Sequence, residues 1–171
     1  MIYKIFIIIF LSNLFSIEYS MKEDIKKHLQ NLLYYECNYQ QEKILSEVKD
    51  PLISTGKLKY KQNEYLLMEQ KTPFEEIYYL EKNNTNQINK KANQLIFELL
   101  NGDILENKNL IFKQTEKKEL FIINMIVEKG MLKKYIKQID LFVSKKPIVI
   151  KKIQIATQNG DITKIDFYAR K

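Results

Sequence analysis

The chain has no tryptophan, one cysteine and one histidine, and its single arginine is Arg170. Each scarcity removes a class of chemistry. Cys37 alone cannot form an intramolecular disulfide, so stability has to come from an apolar core, and a lone thiol near a strand reads as a small buried hydrophobe. A single histidine with a single cysteine leaves no transition-metal cluster of familiar spacing. His28 falls among lysines in a helical segment and reads as a surface residue. A Cys37–His28 nucleophile pair would need two different elements to meet, and no orienting carboxylate is evident. Asp161 and Asp166 flank a strand at odd spacing, which sets them on opposite faces and leaves no acid/base pair. No catalytic residue, metal or cofactor is therefore expected, and no repeat, low-complexity tract or interdomain linker interrupts the chain.

Long apolar runs are also absent. The nearest to one lies at the N-terminus, where Met1-Ile2-Tyr3-Lys4 precedes an apolar stretch from Ile5 to Leu11 that resumes at Leu14-Phe15 and ends in Ser16 and Ser20. A charged start, a short apolar core and small residues after it describe a secretory signal, and the core falls short of the roughly 20 residues of a membrane span. Neither Ser16 nor Ser20 has a small residue three places upstream, so an uncleaved anchor is the alternative. The expected organisation is a signal peptide over 1–20 and one domain over 21–171. Cys37 lies too far in to be a lipid-modified N-terminal cysteine.

What is abundant is lysine. Lys and Arg total 28 against 21 Asp and Glu, a formal net charge of +7, and removing Lys4 and Glu18 with the signal leaves that balance unchanged. A nucleic-acid surface would cluster basic residues with stacking aromatics, whereas these lysines alternate with glutamates along segments whose other positions are apolar. They read as a solvated face; no nucleic acid is expected, and transient approach to an anionic membrane surface is.

Hydrophobic period separates helices from strands. Ile25, Leu29, Leu32 and Leu33 follow a Ser20-x-x-Glu23 capping signal and predict a helix over 21–33. The period then becomes two: Leu58 and Tyr60, then Leu67, then Ile77 and Tyr79 alternate with Lys, Gln and Glu, as in a half-buried antiparallel sheet. Leu95, Ile96, Leu99 and Leu100 restore the helical spacing over 91–101, with Gly102 as the stop. Strands are predicted over Glu119–Glu128, Tyr135–Val143, Pro147–Thr157 and Ile162–Tyr168, the last two joined by Asn159-Gly160, a strong hairpin signal. Lys82–Asn93 reads as a polar loop with a short strand at Gln87–Lys90.

Several ordered motifs run through this pattern: Tyr39-x-Gln41-x-Lys43, then Pro51-Leu52-Ile53-Ser54-Thr55-Gly56-Lys57-Leu58, then Thr72-Pro73-Phe74. A second block has Leu99-Leu100-Asn101-Gly102-Asp103 before Leu110-Ile111-Phe112, and Asn159-Gly160-Asp161-Ile162-Thr163 before Ile165-Asp166-Phe167. Over about residues 25 to 169 this set resembles the LolA-like branch of the lipoprotein-carrier family. The resemblance implies an α+β domain: a single strongly curved antiparallel sheet, an unclosed half-barrel, covered by two or three short helices. It also implies a monomeric periplasmic carrier that holds acyl chains of a lipoprotein or related lipid cargo in a concave apolar cavity, with an inner-membrane donor complex and an outer-membrane acceptor as partners. One departure matters. The principal carriers have an arginine beside a tryptophan where this chain has Leu66-Leu67-Met68, so their lid latch cannot be carried over.

Strand parity assigns the inward row Phe121, Ile123, Met125 and Val127, opposed by Ile153 and Ile155 and by Ile165 and Phe167. With Leu58, Tyr60, Leu67, Ile77 and Tyr79 these would line the acyl cavity the resemblance implies, under a lid carrying Leu95, Leu99 and Leu100. Each residue taken singly can equally be core. The alternative function is a non-enzymatic envelope interaction module, its concave face filled by its own side chains. Cavity volume discriminates the two readings.

Overall fold

The computed structural model describes residues 23–31, 33–81 and 90–168, with the side chains of 90–94 outside the description. The expected signal peptide and the 87–89 portion of the expected short strand lie outside the described residues, and Lys90 opens a helix instead.

Nine antiparallel strands form one sheet in the order β4-β3-β2-β1-β9-β8-β7-β6-β5. They are β1 (Tyr34–Ile44), β2 (Leu52–Lys61), β3 (Tyr65–Thr72), β4 (Glu76–Glu81), β5 (Leu110–Glu116), β6 (Leu120–Val127), β7 (Ile136–Lys145), β8 (Ile148–Thr157) and β9 (Ile162–Tyr168). Two meanders, β1 to β4 and β5 to β9, are thus joined edge to edge by the pairing of β1 with β9, while β4 and β5 are the outermost strands among the described residues. The sheet does not close. Helix α1 (23–30) precedes β1, and α2 (Lys90–Asn101) with a 3-10 turn at Asp103–Glu106 carries the chain from one edge strand to the other.

The turns follow their residues. Asn63, in the β2–β3 turn, has φ 57, a left-handed value that asparagine tolerates. Gly160, in the β8–β9 turn, has φ 94, as the Asn-Gly signal requires. That turn is braced from across the sheet, because the Asp161 carboxylate accepts from the Ser46 backbone N–H at 2.8 Å and the Ser46 hydroxyl at 3.1 Å. The Ser46 backbone donor first, and the Asn159 amide with it, hold the Asp161 carboxyl below the ordinary carboxylate range. Register shifts at Thr55/Gly56, Ile136/Gln138 and Phe142/Val143 mark bulges, which bend strands and sharpen local twist.

Alternate residues of each strand face the helices. Tyr60 and Leu58 on β2, Leu66 and Met68 on β3, Ile123, Met125 and Val127 on β6, and Ile153 and Ile155 on β8 are all buried. Onto this face α2 lays Leu95, Ile96, Phe97, Leu99 and Leu100. The Phe97 and Tyr60 rings meet edge-on with centroids 5.8 Å apart, and the Tyr60 hydroxyl donates to Asn101 Oδ1. The helix stops where Gly102 adopts φ 78, a C-terminal role for glycine. There α1 crosses, with Leu29 Cβ 3.5 Å from where a Gly102 side chain would begin. Ile25 and Leu29 are fully buried, whereas Leu33, expected within the helix, is 73% exposed and follows its end. No helix of the described residues is long and apolar enough to cross a membrane.

Candidate ligand cavity

A cavity of about 460 Å³ lies between the sheet and the start of α2. Its walls come from Tyr78 on β4, Met68 and Gln70 on β3, Tyr39, Gln41 and Lys43 on β1, Thr163 and Ile165 on β9, Ile155 and Thr157 on β8 and Ile136 on β7. Leu95 and Ile96 of α2 roof it together with Leu132 and Tyr135 from the 3-10 turn at Met131–Lys134 and its end. In a flat sheet β4 and β7, six steps apart in the strand order, would stand ~29 Å from each other at about 4.8 Å per strand. Both border one cavity of this size, so the sheet is strongly curved.

Close packing between β1 and β2 shapes one wall of the cavity. Tyr39 is buried and pairs directly with Gly56; a Cβ on Gly56 would lie 2.8 Å from the Tyr39 ring and 2.3 Å from the Glu69 carbonyl oxygen. Glycine is required because ring and backbone occupy the space of its side chain. Burial, with repulsion from Tyr78 and Glu76 added, pushes the Tyr39 phenol up to about 12. Cys37, two pairs away on the same face, is buried and its thiol is pushed up to about 11, mainly by desolvation, which makes it a packing residue and a poor nucleophile. Among the described residues no group of three or more His, Cys, Asp and Glu could hold a metal ion.

A second cavity of about 340 Å³ shares Leu95, Leu132 and Tyr135 with the first and is lined further by Glu98, Asn107 and Asn109. Leu95, Leu132 and Tyr135 therefore border both spaces.

No family model matches this chain, and no curated protein matches it. Among solved structures it is similar to a LolA superfamily protein from Nitrosomonas europaea, at 8% identity over 87% of this chain and 93% of that chain, with a TM-score of 0.40. It is also similar to a DUF1329 family protein from Desulfovibrio piger, at 9% identity over 87% of this chain and 90% of that one, TM-score 0.40. A third similarity, at 14% identity, 82% and 86% coverage and TM-score 0.28, is to the complex of the CwlD amidase from Clostridioides difficile with the GerS lipoprotein. The expected architecture, a single unclosed antiparallel sheet with short helices, is the one observed.

Within the sheet the sixteen positions proposed from the sequence separate into three groups. Leu95, Ile155 and Ile165 line the cavity. Leu58, Tyr60, Leu99, Leu100, Ile123, Met125, Val127, Ile153 and Phe167 are buried in the core, and Phe121 is partly buried at its margin with the Lys145 ammonium 5.2 Å from its ring centroid. Leu67, Ile77 and Tyr79 require correction, since they point to the opposite face. Leu67 pairs with Lys59 and Tyr79, outside the inward pairs Tyr60–Leu66 and Leu58–Met68, and Ile77 is 75% exposed. The expectation missed Tyr39, Gln41, Met68, Tyr78, Leu132 and Tyr135. Tyr39 and Gln41 carried a signal, standing two apart in the strand motif, but Leu132 and Tyr135 belong to a short turn without period.

Proposed function

We propose that the chain is a non-enzymatic exported carrier that shields an acyl chain in this cavity and passes an acylated lipoprotein or related lipid from an inner-membrane donor to an outer-membrane acceptor. The cavity carries this reading. At about 460 Å³ it falls in the roughly 300–1,000 Å³ range of small-molecule sites, and an apolar floor with a few polar groups is the usual lining of such sites. An acyl chain gains about 0.8 kcal/mol per buried methylene, enough to hold it against water and enough to trap it. Release therefore needs a roof that moves at modest cost or an acceptor with a better pocket. The roof is suited to movement, because Leu132 lies in, and Tyr135 directly follows, a four-residue 3-10 turn with no buried residue of its own. Export to the periplasm rests on the N-terminal signal pattern.

A second reading, an envelope interaction module without cargo, is favoured by one observation: most of the concave face is filled by its own side chains, while Ile77, Tyr79 and Phe74 are exposed. Native mass spectrometry of the chain purified from its own cell envelope separates the two. The carrier reading expects a co-purifying acylated species that is lost in Tyr135→Arg, a change at a half-exposed roof position that leaves the core intact. An empty protein that also ignores an added fluorescent acyl probe would sink the carrier and leave the interaction module.

A further inference from the structure

The cavity is graded in polarity along its strands. On β1 the residues facing it run from buried Tyr39 through Gln41 to exposed Lys43. Its neighbour β9 pairs Ile165 with Gln41 and Thr163 with Lys43. On β8, Ile155 pairs with Thr163 and Thr157 lies further in the same direction. The change from apolar to polar thus runs the same way in space on three adjacent strands, and one end of the cavity is furnished with an amide, two hydroxyls and an ammonium. Core packing does not ask for this arrangement, but a ligand with two chemically different ends does.

The charge at the polar end is positive. Lys43 has no ion pair among the described residues, in contrast to Lys164 and Glu42, which pair with each other at 2.8 Å. The acid of the nearby β8–β9 turn, Asp161, is already engaged by two Ser46 donors and the Asn159 amide at 2.8 Å. Gln41 has a donor bond of 3.3 Å to Ser54 Oγ, long enough to be exchanged for a stronger acceptor.

We propose that the cavity takes a single-chain amphiphile whose anionic head, a carboxylate or a phosphate, sits against Lys43 and Gln41 while its chain runs toward Met68 and Leu95. This rests on the carrier reading and narrows it, assigning a headgroup preference to a site otherwise defined by its apolar floor. Lys43 is the specificity residue.

The test is competition against a fluorescent acyl probe with dodecanoate, dodecyl phosphate and dodecanol, using the full chain, its Lys43→Gln and Lys43→Glu variants, and low and high salt. Each anion is expected to displace the probe at least about threefold better than the alcohol, the scale of a partly exposed charge pair. In Lys43→Gln that advantage should vanish while the alcohol is unaffected, and in Lys43→Glu the anions should fall behind the alcohol. Added salt should shrink the wild-type difference. An advantage for only one anion would support the proposal and identify the head. Equal displacement by all three in wild type, or an advantage that survives Lys43→Gln, would overturn the headgroup assignment and leave the carrier reading standing. Failure of the probe to bind wild type at all would remove both.

Discussion

Gly56 faces Tyr39 across the β1–β2 ladder, and the position of its missing Cβ is already occupied on two sides, by the tyrosine ring at 2.8 Å and by the Glu69 carbonyl oxygen at 2.3 Å. Gly56→Ala is expected to destabilise the fold by about 1–3 kcal/mol, as overpacking does, read as a lowered urea midpoint. Removing the ring in Tyr39→Leu/Gly56→Ala should recover only part of the loss, because the carbonyl belongs to the backbone. Full recovery would show that the ring alone excludes a side chain here.

The hold of α2 on the sheet passes through Tyr60. Its hydroxyl donates to Asn101 Oδ1, and Asn101 Nδ2 donates to Asp103 Oδ2 at 3.1 Å. Tyr60→Phe keeps the ring contact with Phe97 but leaves a buried amide oxygen short of its donor, a loss of about 1–3 kcal/mol. Amide exchange should quicken in the last turn of α2 before it quickens in β2.

Two contacts of α1 separate surface charge from burial. Leu29 is buried against Gly102 and should cost about 2–5 kcal/mol as Leu29→Ala. The Lys26–Glu106 ion pair involves an exposed Glu106 side chain and should cost no more than about 1 kcal/mol in Glu106→Gln. Comparable losses from the two would mean that charge, not packing, docks α1.

Stability should decline in alkali. Burial raises Cys37 from 9.0 to about 11 and Tyr39 from 10.0 to about 12. Between those limits the unfolded chain releases protons that the folded chain retains, so this contribution is complete below about pH 9 and lost as pH rises toward 12. Chemical denaturation across that interval checks it, and Tyr39→Phe should flatten its upper part.

The shared wall of the two cavities gives a prediction on ligand length. Tyr135→Ala removes a bulky side chain that borders both cavities, and probe titrations should then favour longer chains than wild type does. An unchanged length preference would show that the chain does not reach this wall.

How much of this could be read in the sequence depended on local ambiguity. In β6 the lone polar Asn124 fixes which of the apolar residues turn inward, and of the expected inward row Phe121, Ile123, Met125 and Val127 the last three are buried while Phe121 is only partly so. In β3 three apolar residues follow one another, Leu66-Leu67-Met68, and alternation alone cannot choose between them. The turn at Asn63 chooses, by pairing Lys61 with Tyr65 and hence Tyr60 with Leu66. The same register carries Ile77 and Tyr79 outward on β4. The cavity was the least legible part, because strands far apart in sequence and a short 3-10 turn build it jointly, and no local period encodes how strongly a sheet curls.

The seam between β1 and β9 has a consequence for how the molecule comes into being. Lys164 and Glu42, which bridge it, are 122 residues apart, and β9 is the last strand of the sheet in chain order. As the polypeptide emerges during synthesis, β1 can pair with β2 but keeps its other edge bare until the far end of the domain arrives, and β8 waits with it. An unpaired strand edge invites pairing with another chain, and closures over long separations are slow. The biogenesis of this domain thus has a vulnerable interval ended by one strand, and chains cut short before Ile162 are expected to aggregate as two unjoined half-sheets.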